Sequence, residues 1–297
     1  ALRRCSSFRA CRAIHGLFSR CVGGGAIRFA GTGSGPMPSG CRLWAAALAL
    51  VGALRRLPEA AVAGRCVIEL GAGCGLPGIS ALPLGCRELV LSDCDEAALR
   101  LLRGNLQRCA KPSAQICPPE PMAPQVSAIQ LDLCDAMALQ RAVEMPGGQC
   151  PRLFDVVLAS EFVYESGVLQ RFIAGVAILL APGGLALAAN RDRPLAGPKL
   201  REQLRDEAAR HSLVVQIQPA EDAARLFAEG LAHSGLSQDD VSGSVDPNTF
   251  LALITLADRA SSTITAHQLL AFLTSTSTVP PSTASEATLV VDLNAMD

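Results

Sequence analysis

Short apolar runs alternate with helical patterns through the middle of the chain. Runs rich in β-branched residues or leucine predict buried strands, and apolar positions three and four apart predict helices. The predicted strands span 66–70, 88–92, 126–131, 154–160, 185–190, 213–217 and 250–256. The predicted helices span 43–57, 76–84, 96–108, 169–180 and 199–211.

This alternation predicts an α/β fold. Strand and helix alternate up to the fifth strand, which is typical of a Rossmann-like, doubly wound sheet. We therefore expect a seven-strand sheet that is mostly parallel. The last two strands, 213–217 and 250–256, have no full-length helix predicted between them. An antiparallel C-terminal hairpin is expected at that edge of the sheet.

The two ends of the chain differ from the middle in composition. Residues 1–39 combine an arginine-rich leader with a Gly/Pro/Ser-rich linker, and residues 259–297 form a Ser/Thr-rich tail. Both are expected to be disordered, and a single domain is expected over 40–258. The leader resembles a mitochondrial or plastid transit segment in composition. The whole chain has only two lysines against 24 arginines, so the arginines of the leader are also consistent with a coding bias towards arginine.

Charge and cysteine usage narrow the function classes. The net charge is −1, so no overall field favours nucleic acid or an anionic membrane. The longest apolar run, 44–54, is shorter than the roughly 20 residues that span a bilayer. The twelve cysteines form no C-x-x-C pair or Cys/His cluster. We expect no metal, no disulfide framework and a reducing compartment.

The glycine-rich stretch CVIELGAGCGLPG, residues 66–78, is the candidate ligand site. Gly71, Gly73 and Gly75 follow the first predicted strand, and Pro77 suits the first turn of the next helix. A strand, a glycine turn and a helix N-terminus present free N–H groups to a polar or anionic ligand. The alternative is a tight turn that binds nothing.

The turn fits two ligands. Gly73-x-Gly75-x-x-Gly78, with Asp93 downstream, matches the dinucleotide pattern. Glu69-x-Gly71-x-Gly73-x-Gly75 also resembles the nucleoside loop of S-adenosylmethionine-dependent methyltransferases. From the turn alone, both interpretations stay open.

Four segments together resemble methyltransferase family 16. They are SGCRLWAAALAL, VIELGAGCGLPGI, LVLSDCDEAALRLLRGN and DVVLASEFVYE, and the resemblance covers about 40–256. Members of this family are small seven-strand enzymes that use S-adenosylmethionine and mostly methylate lysine side chains of proteins.

The resemblance implies a role for each matching residue on the cofactor side. Glu69 is expected to orient the glycine turn or the amino group of the cofactor's methionine part, and Asp93 to accept hydrogen bonds from the ribose hydroxyls. Asp132 is expected beside the adenine, and Trp44 as a wall of the pocket. The implied cofactor-binding set is Trp44, Glu69, Gly71, Gly73, Gly75, Asp93, Asp132 and Ser160.

On the substrate side, the implied catalytic residues are Glu161 and Tyr164. The family usually has Asp-x-x-Tyr after the fourth strand, and here Glu161 stands in place of the aspartate. Glutamate keeps the charge but moves it outward by one methylene.

The expected function is S-adenosylmethionine-dependent methyl transfer to protein lysine by in-line displacement. The alternatives are an NAD-dependent oxidoreductase and a catalytically silent, cofactor-binding scaffold protein. The resemblance also implies a protein substrate and a cytoplasmic monomer. The leader favours the mitochondrion or plastid as the alternative location.

Overall fold

The computed structural model describes residues 39–109, 124–135, 138–139, 153–164, 167–192, 199–241 and 248–257. The arginine-rich leader up to residue 38 and the Ser/Thr-rich tail lie outside these residues. The predicted domain boundaries therefore stay predictions.

The described residues contain seven strands and six α-helices. The strands are β1 (Cys66–Leu70), β2 (Glu88–Asp93), β3 (Gln125–Gln130), β4 (Phe154–Ser160), β5 (Leu180–Arg191), β6 (Leu213–Ile217) and β7 (Thr249–Leu256). The helices are α1 (Ala45–Arg56), α2 (Leu76–Ile79), α3 (Glu96–Cys109), α4 (Val168–Leu179), α5 (Leu200–Arg210) and α6 (Ala220–Ser234).

The strands form one sheet in the order β3-β2-β1-β4-β5-β7-β6. Neighbours from β3 to β5 are parallel, and β7 runs antiparallel to both β5 and β6. The predicted seven-strand, mostly parallel sheet is confirmed. The order changes direction between β1 and β4, and ligands of doubly wound folds bind at such a point, beyond the carboxyl ends of the strands.

The connection between β6 and β7 corrects one prediction. These strands are antiparallel neighbours as expected, but the 15-residue helix α6 joins them, so they do not form a simple hairpin. Gly230 interrupts the apolar pattern of this segment and lowers its intrinsic helix propensity. Packing against α1 outweighs that penalty.

Helix α2 is shorter than predicted. It ends at Ile79 and is followed by a 3-10 turn over Leu82–Leu84. Pro83 explains the break, because its ring would clash with the carbonyl of Ile79 and it has no N–H to donate to that carbonyl.

Two apolar clusters cover the two faces of the sheet. Successive strand residues point to opposite faces, so Val67 joins the cluster that contains α1 and α6, and Ile68 joins the cluster that contains α4 and α5. Phe172 and Ile173 of α4 and Leu204 of α5 are among the side chains that are fully buried there. The sheet is therefore fixed from both sides, which holds its carboxyl edge in place.

Helices α1 and α6 pack with their backbones almost in contact. A Cβ atom on Gly52 would overlap the carbonyl oxygen of Leu226, and one on Gly230 would overlap that of Leu48. Near the end of α1, the Arg56 Nε donates to Glu229 Oε2 at 2.6 Å. Within the described residues, no helix is long and apolar enough to cross a membrane.

Replacing Gly230 by alanine tests this contact. On an exposed helix the change would stabilise by about 1 kcal/mol. Here the added Cβ has to push backbone away, so we expect a loss of about 1 to 3 kcal/mol in the free energy of unfolding, measured by denaturant titration. The matched control is Gly104→Ala in α3, where a Cβ meets only the end of the Arg108 side chain, at 3.3 Å. Equal effects of the two changes would contradict the packing account.

Candidate active site

The turn after β1 has the backbone that its glycines predict. Gly71, Gly73 and Gly75 have φ values of +60°, +55° and +80°, in the left-handed region that favours glycine. The Ala72 N–H donates to the Ser92 carbonyl at 2.8 Å, and the Gly75 N–H donates to the Ala72 carbonyl at 2.7 Å. These bonds fix the turn against the end of β2.

The three glycines meet different surroundings. A Cβ on Gly73 would lie 2.5 Å from the Gly40 carbonyl oxygen, and one on Gly75 would lie 2.6 Å from Leu102 Cδ2. A Cβ on Gly71 would meet nothing within 4 Å. Backbone packing therefore requires glycine at position 73, the positive φ and nearby leucine side chains favour it at position 75, and the exposed Gly71 leaves its side of the turn open to a ligand.

Glu69 lies fully buried in β1 and is tied to the start of α2. Its Oε2 accepts a hydrogen bond from the Gly78 N–H at 2.8 Å. Burial raises the pKa of Glu69 to about 8, and the Gly78 hydrogen bond opposes this shift. The other oxygen, Oε1, has no hydrogen-bond partner among the described residues. Glu69 thus holds the turn and has one oxygen available to a cation or an N–H donor.

Asp93, the last residue of β2, also holds the turn. Its Oδ2 accepts from the Gly73 N–H at 2.9 Å, and its Oδ1 accepts from the Asp95 N–H at 3.0 Å. Burial raises the pKa of Asp93, and these N–H groups oppose the shift. Each carboxylate oxygen has a second lone pair, so the predicted contacts with ribose hydroxyls remain chemically open.

Asn105 is a residue of the site that the sequence analysis did not assign. It lies fully buried on α3, and its Nδ2 donates to the Cys74 carbonyl at 2.7 Å. The Arg108 guanidinium donates to the Asn105 Oδ1. A polar residue on the apolar face of a helix is a signal that could have identified it.

The remaining predicted cofactor residues lie at the edges of this site. Asp132 is exposed after β3, where the hydrogen bond from the Cys134 N–H at 2.8 Å lowers its pKa. Ser160 is the partly buried last residue of β4. Trp44 is partly exposed and precedes α1. Contact of these three with the cofactor stays a prediction.

The segment after β4 makes a strained turn. Glu161 has φ +50°, which is uncommon for a residue other than glycine, and its N–H donates to the Ala189 carbonyl at 2.9 Å. Phe162 stacks on Phe172 with a centroid distance of 4.0 Å. Tyr164 is 58% exposed. Both predicted catalytic residues therefore lie on one short turn, which we call the substrate turn, residues 161–164.

The strand order brings the two turns together. Leu70 of β1 pairs with Ala159 of β4 on one side and with Ser92 of β2 on the other. Neighbouring strands are about 4.8 Å apart, so the glycine turn lies between Asp93 and Ser160. The glycine turn and the substrate turn therefore follow neighbouring strands at the carboxyl edge of the sheet.

Comparison with known proteins identifies the family. A family model described as lysine methyltransferase, methyltransferase family 16, matches residues 32–205. The chain is 32% identical over 223 residues to the protein N-terminal and lysine N-methyltransferase EFM7 of Eremothecium gossypii. This match covers 70% of this chain and 80% of that protein. It is also 32% identical over 132 residues to EFM7 of Yarrowia lipolytica, covering 41% of this chain and 46% of that protein.

Solved structures give weaker likenesses. A putative RNA methyltransferase from Pyrococcus horikoshii superposes with a TM-score of 0.47 at 14% identity, covering 81% of this chain and all (100%) of that chain. The ribosomal protein L11 methylase of Lactobacillus delbrueckii subsp. bulgaricus superposes with a TM-score of 0.44 at 14% identity, covering 71% of this chain and 78% of that chain. The strand order of the chain itself, not these superpositions, carries the fold assignment.

The site fits the family's cofactor. S-adenosylmethionine carries an ammonium group that would donate a hydrogen bond to the unpartnered Glu69 Oε1, and a Cβ on Gly71 would meet nothing within 4 Å, so the turn has open space for a ligand. Nothing in the matches supports the NAD-dependent alternative. The chain belongs to the lysine methyltransferase family 16 and is an S-adenosylmethionine-dependent methyltransferase.

Proposed function

We propose that this chain methylates the ε-amino group of lysine in a protein substrate. The observation that carries the proposal is the position of the substrate turn. This turn follows β4, which pairs with β1, so its backbone lies next to the glycine turn at the point where the strand order changes direction. The family description and the names of both EFM7 relatives support an amine of a protein as the acceptor.

Residues of the first three strands would hold the cofactor. The Glu69 Oε1 would accept a hydrogen bond from its ammonium group, and Asp93 would accept from its ribose hydroxyls. Asp132 would lie at the adenine end. When bound, the cofactor supplies an electrophilic methyl group on a sulfonium. Asp93 and Glu69 already hold the glycine turn, so little of the chain has to reorganise on binding.

The substrate turn would receive the amine. A lysine ammonium has an ordinary pKa of about 10.4 and must lose a proton to solvent before it can attack. The Glu161 carboxylate attracts the incoming ammonium and accepts a hydrogen bond that fixes its direction of approach. The exposed Tyr164 would line the entrance. In-line transfer then depends mainly on how accurately this turn is held.

A second acceptor is the α-amino group of a protein N-terminus. Both EFM7 relatives are named for N-terminal as well as lysine methylation. The same carboxylate can bind either amine, so the distinction depends on the shape of the substrate.

Methyl transfer to protein tests the function. The full chain is incubated with methyl-labelled S-adenosylmethionine and two samples of a cell lysate, one of them guanidinated to block lysine ε-amines. We expect label on lysine in the untreated sample and little label in the guanidinated one, as located by mass spectrometry. Label retained after guanidination on N-terminal residues would favour the α-amine.

Two variants make this test specific. Glu161→Gln should lower the transfer rate about 100-fold, because it removes the charge that holds the amine, with the affinity for cofactor unchanged. Gly73→Arg should abolish cofactor binding, since even a Cβ at this position meets the Gly40 carbonyl. Wild-type transfer no greater than that of Gly73→Arg would favour the silent scaffold instead.

Cofactor binding should release a proton from Glu69. Its pKa of about 8 leaves it mostly protonated at neutral pH, and a bound ammonium favours the ionised form. Affinity for S-adenosylmethionine should therefore rise from about pH 6 to about pH 7.5, while the free α-amine of the cofactor is still mostly charged.

Calorimetry in two buffers of different ionisation enthalpy measures the number of protons released on cofactor binding. Glu69→Gln should bind about tenfold more weakly and release no proton from this site. The same pH dependence in both proteins would contradict this role.

A further inference from the structure

The buried side chain of Asn190 forms hydrogen bonds with the backbone of the substrate turn. The Val163 N–H donates to Asn190 Oδ1 at 3.0 Å, and Asn190 Nδ2 donates to the Val163 carbonyl at 3.2 Å. Nδ2 also donates to the Arg191 carbonyl at 2.8 Å. Asn190 thus uses its acceptor and both of its N–H donors, two of these three bonds on one residue of the turn.

Asn190 is placed for this task by the sheet. It lies near the end of β5, is fully buried, and pairs with Phe250 of β7. Val163 is also fully buried, so its N–H and carbonyl need partners within the protein. An apolar side chain of the same size at position 190 would leave both groups without a partner.

Two other contacts also hold the turn. The Glu161 N–H bonds to the Ala189 carbonyl, and Phe162 stacks on Phe172 of α4. Glu161 nevertheless has a strained φ of +50°, and such strain persists only where the surroundings hold the backbone. The Asn190 contacts supply that hold on the far side of Glu161.

We propose that Asn190 is the positioning residue of the substrate turn. By binding both backbone groups of Val163, it keeps Glu161 and Tyr164 in the orientation that receives the substrate amine. This inference rests on the proposed function for its catalytic consequence, but the hold on the turn can be measured without activity.

Asn105 provides a matched control on the cofactor side. It is equally buried and binds the backbone of the glycine turn through the Cys74 carbonyl. The two asparagines therefore each hold one of the two turns that meet at the site. We expect alanine at position 190 to lower mainly kcat, and alanine at position 105 to weaken mainly the binding of the cofactor.

The kinetic test compares Asn190→Ala with Asn105→Ala in the full chain. Asn190→Ala should lower kcat at saturating cofactor about 100-fold, with the Kd for S-adenosylmethionine within about twofold of wild type. Asn105→Ala should weaken that Kd about tenfold and change kcat much less. An unchanged kcat in Asn190→Ala, or a loss of cofactor affinity as large as its loss of kcat, would overturn the positioning role.

A spectroscopic test needs no activity. The chain contains one tyrosine, Tyr164, so 3-fluorotyrosine labels the substrate turn alone. The ¹⁹F resonance should shift or split in Asn190→Ala and stay at its wild-type position in Asn105→Ala. An unchanged resonance in Asn190→Ala would overturn the proposal. A shifted resonance, together with a wild-type protein that transfers no methyl group, would support the hold on the turn and refute the proposed function.

Asn190→Asp covers the case in which the alanine variant does not fold. It keeps the size of the side chain and the acceptor for the Val163 N–H but loses the two N–H donors. We expect a ¹⁹F shift and a loss of kcat with cofactor affinity retained. Wild-type kcat and an unshifted resonance in this variant would show that the donors do not position the turn.

Discussion

The hydrogen bond between the Glu69 carboxylate and the Gly78 N–H is the contact on which the site depends. It joins the end of β1 to the start of α2 across the glycine turn, inside the core. Gly78 has no Cβ, and any Cβ there would lie 2.7 Å from the Glu69 Oε2. Burying a carboxylate is costly, and in the described structure one of its oxygens has no partner. A cationic ligand group would relieve that cost, which gives the burial a functional reason.

The two halves of the sheet carry different parts of the predicted site. Strands β1 to β3 end in the glycine turn, Asp93 and Asp132, the residues predicted to bind the cofactor. Strands β4 and β5 end in the substrate turn and Asn190. The halves meet where β1 pairs with β4, so the two turns lie next to each other. Because the chemistry is a displacement, the main demand on the protein is accurate positioning.

The sequence could predict features that depend on local pattern. The bounds of β1, β4 and β6 match the prediction, because each is a mainly apolar run that is followed by glycine or a polar residue. Helix α6 was missed, because Gly230 looks unfavourable until its close contact with α1 is known. The glycine turn and Asp93 were predicted from their positions after strands, whereas Glu161 and Tyr164 were implied by the resemblance to the family.

The roles of the two asparagines could not be predicted in the same way. Asn105 and Asn190 bind backbone atoms 31 and 27 residues away in the chain, and only the folded sheet brings these atoms near. The strained φ of Glu161 likewise depends on its pairing with β5. The cytoplasmic location, the monomeric state and the disordered ends stay predictions, since they depend on properties outside the described fold.

Calorimetric titration of the full chain with S-adenosylmethionine and, separately, with NAD tests the central claim, that the glycine turn is a methyl-donor site. We expect saturable binding of one S-adenosylmethionine per chain and no binding of NAD at the same concentrations. Binding of NAD without binding of S-adenosylmethionine would contradict the assignment of the site.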